Sequence, residues 1–441
     1  MILLTFFIFY FLLIYLIFRK EPLVIVIFFF PILKQTTNYI SVFYLDHGDI
    51  YMREIQSYSE KSYTSILLWF FNVTALFVIY FLIRITKQDL YKLLSRLYTL
   101  KIRYIKSWIF LFYFIIGILI LNILISGSPL WISSINKTTF WTIAKLQFLK
   151  PVSSQISIIA LFSGMFLLYI NLHNKKSSLL KGALYGVWIF LLVYLILMGH
   201  KFGQLLIITY MFFLPLLLYM SLIKKFPAKK IFFIFSCIIA FFSLFVINYF
   251  KTKYGDAAFD IIQQRIFSME GQLTYTAIQN YLQNQLPNGL EQLVIEIKYI
   301  LGLIHNNTVI GMDYLMDRTM PDNLLEAYRE TQVKLAQGYL AMLFYLFNNF
   351  FIVLFVHMVF ILLYGFIGYL LLRSILKYDF ILTFFYAKIY FSFLAYYAQA
   401  YTTAIFNLKT LIYFFCIILI HIIRQIYKKK RMIYCANTSY N

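Results

Sequence analysis

The chain has 441 residues, 62% of them hydrophobic, with a mean hydropathy of +0.79, where soluble domains average roughly 45–50% apolar residues. Only 13% of residues are charged, yet the formal net charge is +22. An ordinary soluble domain is excluded, and the excess of cations needs an explanation in terms of place rather than amount.

Apolar runs of about 17–25 residues can each cross a bilayer as a helix. Eleven such spans are expected, at 2–18, 22–40, 64–83, 107–125, 152–171, 180–198, 203–223, 231–250, 349–372, 380–398 and 403–423. The fold class is therefore all-α, a polytopic membrane protein. The first span lacks a basic leader and a small-residue cleavage site, so it reads as a helix rather than a signal peptide. Lys34 lies inside the second span, which leaves open whether that span crosses fully.

The cations are unevenly distributed. Alternate connections (19–21, 84–106, 172–179, 224–230, 373–379), with Lys181 and the C-terminal tail, hold 23 of the 39 Lys and Arg but three of the 17 acids. The opposite set holds 13 Lys and Arg and 14 acids, and three lysines lie inside spans. Lys and Arg accumulate on the cytoplasmic side of membrane proteins. This predicts a periplasmic or external N-terminus and a cytoplasmic C-terminus. The charge then reads as topology and as contact with membrane lipid through the YKKKR run at 427–431, not as a nucleic-acid surface. None of the three cysteines falls on the oxidising side, so no disulfide is expected.

Two connections are long. Residues 41–63 form a modest external loop containing Asp46 and Asp49. Residues 251–348 form a large external segment, which divides the chain into 1–250 with eight spans, 251–348, and 349–441 with three spans and a basic tail. Within the segment, 259–282 reads as one amphipathic helix. Residues 290–304 read as a second, apolar enough to lie on the membrane surface. Residues 321–344 read as a third, opened by Asn323 and Glu326 at capping-box spacing, supported by Glu330 and Lys334, and leading into the ninth span.

Candidate chemistry is sparse. In LMGHKFGQLL (197–206), His200 and Lys201 sit at a tight turn before a span that opens at Phe202. A cation beside free helix N–H groups suits a phosphate; a lysine snorkelling from a helix end fits equally well. Arg265, Ser268, Gln272, Tyr275 and Gln279 fall near one face of the 259–282 helix. That stripe can bind sugars or phosphates, or simply face solvent. An arginine suits a pyrophosphate because its planar fork donates two parallel hydrogen bonds. His305 is a candidate general base or plain loop polarity. Glu270, Asp313, Asp317 and Arg318 lie in the same segment. Lys388 and Lys409 fall inside spans, where a cation is costly and marks a functional candidate; with Gln399, Tyr401 and Thr402 they suggest a polar cavity. The sequence has no phosphate-cradling P-loop, no HExxH and no GxSxG elbow.

The architecture resembles the O-antigen polymerases (Wzy type), which are related to the O-antigen ligases. Gly199, His200 and Lys201 match a small residue, any residue, then a cation at the external start of a middle span, with lysine where many relatives have arginine. Arg265 matches the essential arginine of the large loop, and His305 matches loosely the ligases' loop histidine. The resemblance implies a glycosyltransferase that joins undecaprenyl-pyrophosphate-linked oligosaccharide repeat units by inverting, metal-independent chemistry without a cofactor. It implies Lys201, Arg265 and His305 as catalytic residues, with His200, Gln272, Arg318, Lys388 and Lys409 binding substrate. It also implies a chain-length regulator protein as a partner. Rival readings are a flippase for the same lipid-linked unit, a ligase, and a transferase using Asp46 or Asp49.

Overall fold

A computed structural model describes residues 2–95, 97, 102, 104–130, 140–173, 177–200, 202–223, 247, 251, 255–304, 308–331, 335 and 338–438. Ten helices among the described residues are long and apolar enough to cross a membrane. In lipid every backbone polar group must be satisfied internally, and a helix does this within one segment. The helices are α1 (Ile2–Lys20), α2 (Leu23–Leu45), α3 (Thr64–Leu94), α4 (Ile105–Ser126), α5 (Ile156–His173), α6 (Ser178–Leu197), α7 (Phe202–Leu222) and, after the long segment, α14 (Phe350–Leu376), α15 (Phe380–Gln399) and α16 (Leu408–Thr438). The expected span at 231–250 lies outside the described residues apart from Ile247. At 23 residues, α2 is about 34 Å long at 1.5 Å per residue, which is enough to cross despite Lys34. Helix α3 runs to Leu94, well into what the sequence reads as a connection.

The chain forms two compact units that cut across the expected division into three stretches. One comprises Met1–Ile85, Pro227–Tyr369 and Lys388–Asn441; the other comprises Thr86–Phe226 and Leu370–Ala387. The long segment is thus part of the first unit and not a body of its own.

In the first unit, α2 has non-helical backbone at Phe28 and carries Pro31. A proline removes one helical hydrogen bond and displaces the carbonyl four residues back, here Ile27. The Tyr390 hydroxyl donates to that Ile27 carbonyl at 2.9 Å, as buried backbone in a membrane requires. The 46–63 connection contains a two-stranded ribbon, β1 (Tyr51–Met52) and β2 (Ser57–Tyr58), antiparallel with Tyr51 opposite Tyr58.

The long segment contains α8 (Ala258–Phe267), α9 (Gln272–Leu282), α10 (Leu290–Ile300), α11 (Met312–Thr319), α12 (Asp322–Thr331) and α13 (Gly338–Phe347). Two expectations need correction. The helix read over 259–282 is broken at 268–271, where Gly271 lies against α2. The helix read over 321–344 is two: α12 starts at Asp322, so Asn323 stands inside the first turn, where its Oδ1 accepts from the Leu324 N–H and no capping box forms. Lys334 lies outside the described residues. Helix α13 is separate from the ninth span; every residue from Gly338 to Leu346 is buried, while ten residues reach only about 15 Å, too short to cross. Asn348, at φ 41°, ends it, and Asn349 Oδ1 then caps α14 by accepting from the Phe351 and Ile352 N–H groups at 3.0 and 3.2 Å.

In the second unit, α5 and α7 pack so closely that a Cβ on Gly164 would overlap the Phe212 carbonyl oxygen. Asn122 Oδ1, near the end of α4, accepts from the Leu146 N–H at 3.0 Å and from Ser126 Oγ at 3.2 Å.

Candidate functional site at the loop end of the first unit

The long segment is seated on the α2–α3 connection by buried polar contacts. Ser41 Oγ donates to the Ser268 carbonyl at 2.7 Å and accepts from the Gly271 N–H at 2.9 Å. Asn38 Nδ2 donates to Thr274 Oγ1 at 3.0 Å. The Tyr275 hydroxyl donates to the Glu60 carbonyl at 2.6 Å. Gly271 is required here, because a Cβ would come within 2.6 Å of Ser41 Oγ and 2.9 Å of the Val42 nitrogen. The two long connections therefore share one side, as the six expected spans between them, an even number, demand.

This contact also explains the polar stripe of 259–282. Ser268, Gln272 and Tyr275 are buried; their polarity serves the joint. Gln272 Oε1 accepts from the Glu54 N–H at 3.1 Å, and its Nε2 donates to Ser268 Oγ at 2.8 Å. Its amide, expected from sequence to bind substrate, is thus hydrogen-bonded at both ends and braces the joint. Arg265, one break earlier, is exposed and within the electrostatic field of Glu54.

Glu54 is the residue that sequence reasoning passed over. It is 1% exposed and accepts a hydrogen bond from the Tyr328 hydroxyl. Burial pushes its carboxyl above the usual range, against the Tyr328 hydrogen bond and the nearby Arg53 and Arg265 charges. Burial, and the carboxylate it bonds, push the Tyr328 phenol up. A buried carboxylate, a phenol and two guanidinium groups thus converge from the ribbon, α8 and α12.

Asp46, one of the two acids of the rival transferase reading, has structural partners. Asp46 is buried and accepts from Ser62 Oγ at 2.6 Å and from the Ser65 N–H at 2.7 Å. It holds the first turn of α3, where an anion is favoured. Burial raises its carboxyl pKa, opposed by those hydrogen bonds. Asp317 pairs with Arg329 at 2.8 Å. Arg318 is exposed and lies over the Tyr314 ring, 5.4 Å from its centroid.

Helix α10 is inverted relative to a soluble helix. Leu290, Val294, Ile297 and Leu301 are exposed, while Gln292 and Glu296 are buried. Spacings of three and four residues put the exposed apolar residues on one face, in line with the expected surface helix. Glu296 accepts from the Gly311 N–H at 2.7 Å and from the Thr402 hydroxyl. Next to it the Tyr401 hydroxyl donates to Asp313 Oδ2 at 2.7 Å. Tyr401 and Thr402, read from sequence as lining a cavity, instead tie the start of α16 to the long segment.

Lys388 on α15 and Lys409 near the start of α16 lie within each other's electrostatic field. Ser392 Oγ and Thr410 Oγ1 are 3.2 Å apart beside them. The structure thus brings these two expected substrate-binding residues together. His200 belongs to the second unit. There Gly199, at φ 67°, terminates α6; the His200 N–H bonds to the Leu195 carbonyl at 2.9 Å and the Gly199 N–H to the Ile196 carbonyl at 2.9 Å. This paired pattern is a Schellman cap, which favours glycine. The small residue of the Gly199–His200–Lys201 match therefore has a purely geometric reason. Lys201 and His305 lie outside the described residues.

Among the described residues, no group of three or more His, Cys, Asp or Glu side chains is placed to hold a metal ion.

A model of a family of unknown function, DUF6418, matches residues 305–414. That stretch holds Asp313, Arg318, Lys388, Tyr401, Thr402 and Lys409, whereas His200, Lys201, Arg265 and Gln272 lie before it. No curated protein and no solved structure gives a significant match.

Proposed function

We propose that this chain is a membrane-embedded glycan polymerase of the bacterial inner membrane. It joins undecaprenyl-pyrophosphate-linked oligosaccharide repeat units on the periplasmic side, making O-antigen or capsular polysaccharide, with the N-terminus periplasmic and the C-terminus cytoplasmic. The observation that carries the reading is the seating of the long segment on the α2–α3 connection, with exposed Arg265 beside buried Glu54. A lipid pyrophosphate emerging from the bilayer meets cations at this level. The acceptor's sugar hydroxyl attacks the anomeric carbon of the donor. The bond from that carbon to the pyrophosphate oxygen breaks, the electron pair leaves with the pyrophosphate, and the hydroxyl proton passes to a general base, the role the sequence match gives to His305. Fixed cations stabilise the charge as it develops. Arg265 is assigned that task, with Glu54 and Tyr328 orienting the guanidinium; Lys201 is assigned it on its sequence match alone.

The test is a gel of surface polysaccharide from a strain deleted for the gene and complemented with Arg265→Ala or Lys201→Ala. Lipid A-core bearing a single repeat unit is expected in each case, with the protein still in the membrane. Wild-type chain lengths with both variants would overturn the assignment. Loss of every repeat unit would favour a second reading, a transporter for the same lipid-linked unit. That reading is supported by the Lys388–Lys409 pair within spanning helices.

A further inference from the structure

A cavity of about 20 Å³ lies inside the first unit, lined by Gln35, Asn38, Leu68, Asn72, Tyr339, Leu340, His357 and Tyr397. Its walls come from α2, α3, α13, α14 and α15. Gln35 is ten residues from the loop end of α2, Asn72 eight from that of α3 and His357 seven from that of α14. At 1.5 Å per residue these positions share one depth, about 10–15 Å below the loop end. The cavity is therefore within the hydrocarbon thickness of a membrane, about 30 Å.

Its polar walls are unfinished. Seven buried atoms on them make no hydrogen bond: Gln35 Oε1 and Nε2, Asn38 Oδ1, Asn72 Nδ2, the Tyr339 hydroxyl, and both ring nitrogens of His357. Gln35 faces the Tyr397 phenol, and the backbone of Phe71 approaches His357, without completing a bond to either. Buried polar atoms in native proteins are nearly always paired, with protein or with ordered water. Leaving several orphaned at one place costs far more than leaving them scattered at the surface.

We propose that this chamber is a binding site for internal water, holding one or two molecules between the spanning helices and α13. The volume fits, since a water needs roughly 10–15 Å³ of such space. The chemistry fits as well. The wall offers amide N–H donors (Gln35, Asn72) alongside acceptors (Gln35, Asn38). A hydroxyl that gives and takes hydrogen bonds satisfies both, whereas a metal cation is held by oxygen ligands, usually with carboxylates among them. Among the described residues no carboxylate lines the chamber. The water adds hydrogen bonds between Tyr339 of the long segment and three spanning helices, beside the ring contacts that Tyr339 already makes with His357, Phe360 and Tyr397. This site is separate from the polymerase reading and stands or falls without it.

X-ray radiolytic footprinting of the whole protein in detergent, purified without lipid-linked saccharide and irradiated in H₂¹⁸O, tests it on the wild type. Radicals formed from a bound water oxidise the side chains next to it. Tyr339 and His357 are expected to take up label several-fold faster than Tyr390 and Tyr194, which are equally buried but have hydrogen-bonded hydroxyls away from the chamber. His357→Phe, checked for folding by its retained detergent-exchange profile, is expected to bring Tyr339 down to the control rate. Tyr339 and His357 labelling no faster than the controls in the wild type means a dry chamber and overturns the proposal. Fast labelling of Tyr339 that His357→Phe leaves unchanged overturns the assignment of the water to this wall.

Discussion

Helix α2 presents polar side chains at two depths, and the two are finished differently. Near its loop end Ser41 and Asp46 make hydrogen bonds of 2.6–2.9 Å to partners on the long segment, on the α2–α3 connection and on α3. Less than two turns deeper, Gln35 points both ends of its amide at a cavity with no protein partner for either. Asn38 stands on the border: its Nδ2 belongs to the joint and its Oδ1 to the chamber. The first place is a completed seam, whose residues hold a segment in position. The second is a set of groups that only a guest can complete. A polar residue in a spanning helix is a functional candidate by default; what separates a fastener from a site is whether its partners are already present.

The largest effect is expected from breaking the seam sterically. Gly271→Val puts side-chain atoms onto Ser41 and the α2 backbone and is expected to cost about 3 kcal/mol, the upper part of the range for overpacking. Hydrogen–deuterium exchange would show it as lost protection across 259–282, with α1 unchanged. Ser41→Ala comes next. It orphans the Gly271 N–H and the Ser268 carbonyl, a loss of about 1–3 kcal/mol, read as a lower Tm in detergent. Gln35→Leu sharpens the contrast from the other side. Neither end of the Gln35 amide completes a hydrogen bond to protein, so its replacement by an apolar side chain of similar size is expected to cost under about 1 kcal/mol. Equal losses for Ser41→Ala and Gln35→Leu would erase the distinction between seam and chamber.

The seam also shows where sequence reading succeeds and where it stops. Span length and hydropathy make ten helices legible one by one, because a membrane helix satisfies its own backbone and needs no partner to be recognised. That 46–63 and 251–348 share a side followed from the even number of expected spans between them, and their contact agrees. The break at 268–271 was not. Its cause is the approach of α2 to Gly271, a contact 230 residues apart in sequence, and the local pattern continued smoothly through it. The Arg265-to-Gln279 stripe was read on one helix, but the break leaves Arg265 on α8 and Gln272, Tyr275 and Gln279 on α9, and Gln272 and Tyr275 spend their polarity on the α2–α3 connection. Glu54 lay unnoticed in a short loop, since nothing local distinguishes a buried carboxylate from a solvated one. Gln35, Asn38 and Asn72 carried a signal, being amides inside apolar runs, but only the fold reveals that they share one depth with His357.

The smallest predicted effect concerns pH and bears on the same seam. Burial raises the Glu54 carboxyl pKa, so the folded protein holds this proton more tightly than the unfolded chain, where a glutamate titrates near pH 4.3. The favourable contribution is then complete below about pH 4.3 and is lost as the pH rises through the raised folded value. Asp46 has the same sign. In wild type both should lower the Tm as the pH is taken upward from the ordinary carboxylate range. Glu54→Gln keeps an acceptor for the Tyr328 hydroxyl and removes the titration, so its Tm should fall less steeply over that window, with the remaining slope due in part to Asp46. Parallel curves for the two proteins would mean that Glu54 keeps its charge throughout, held by Arg53 and Arg265. The guanidinium of Arg265 would then be bound to a permanent counter-ion, and a pyrophosphate would have to displace it.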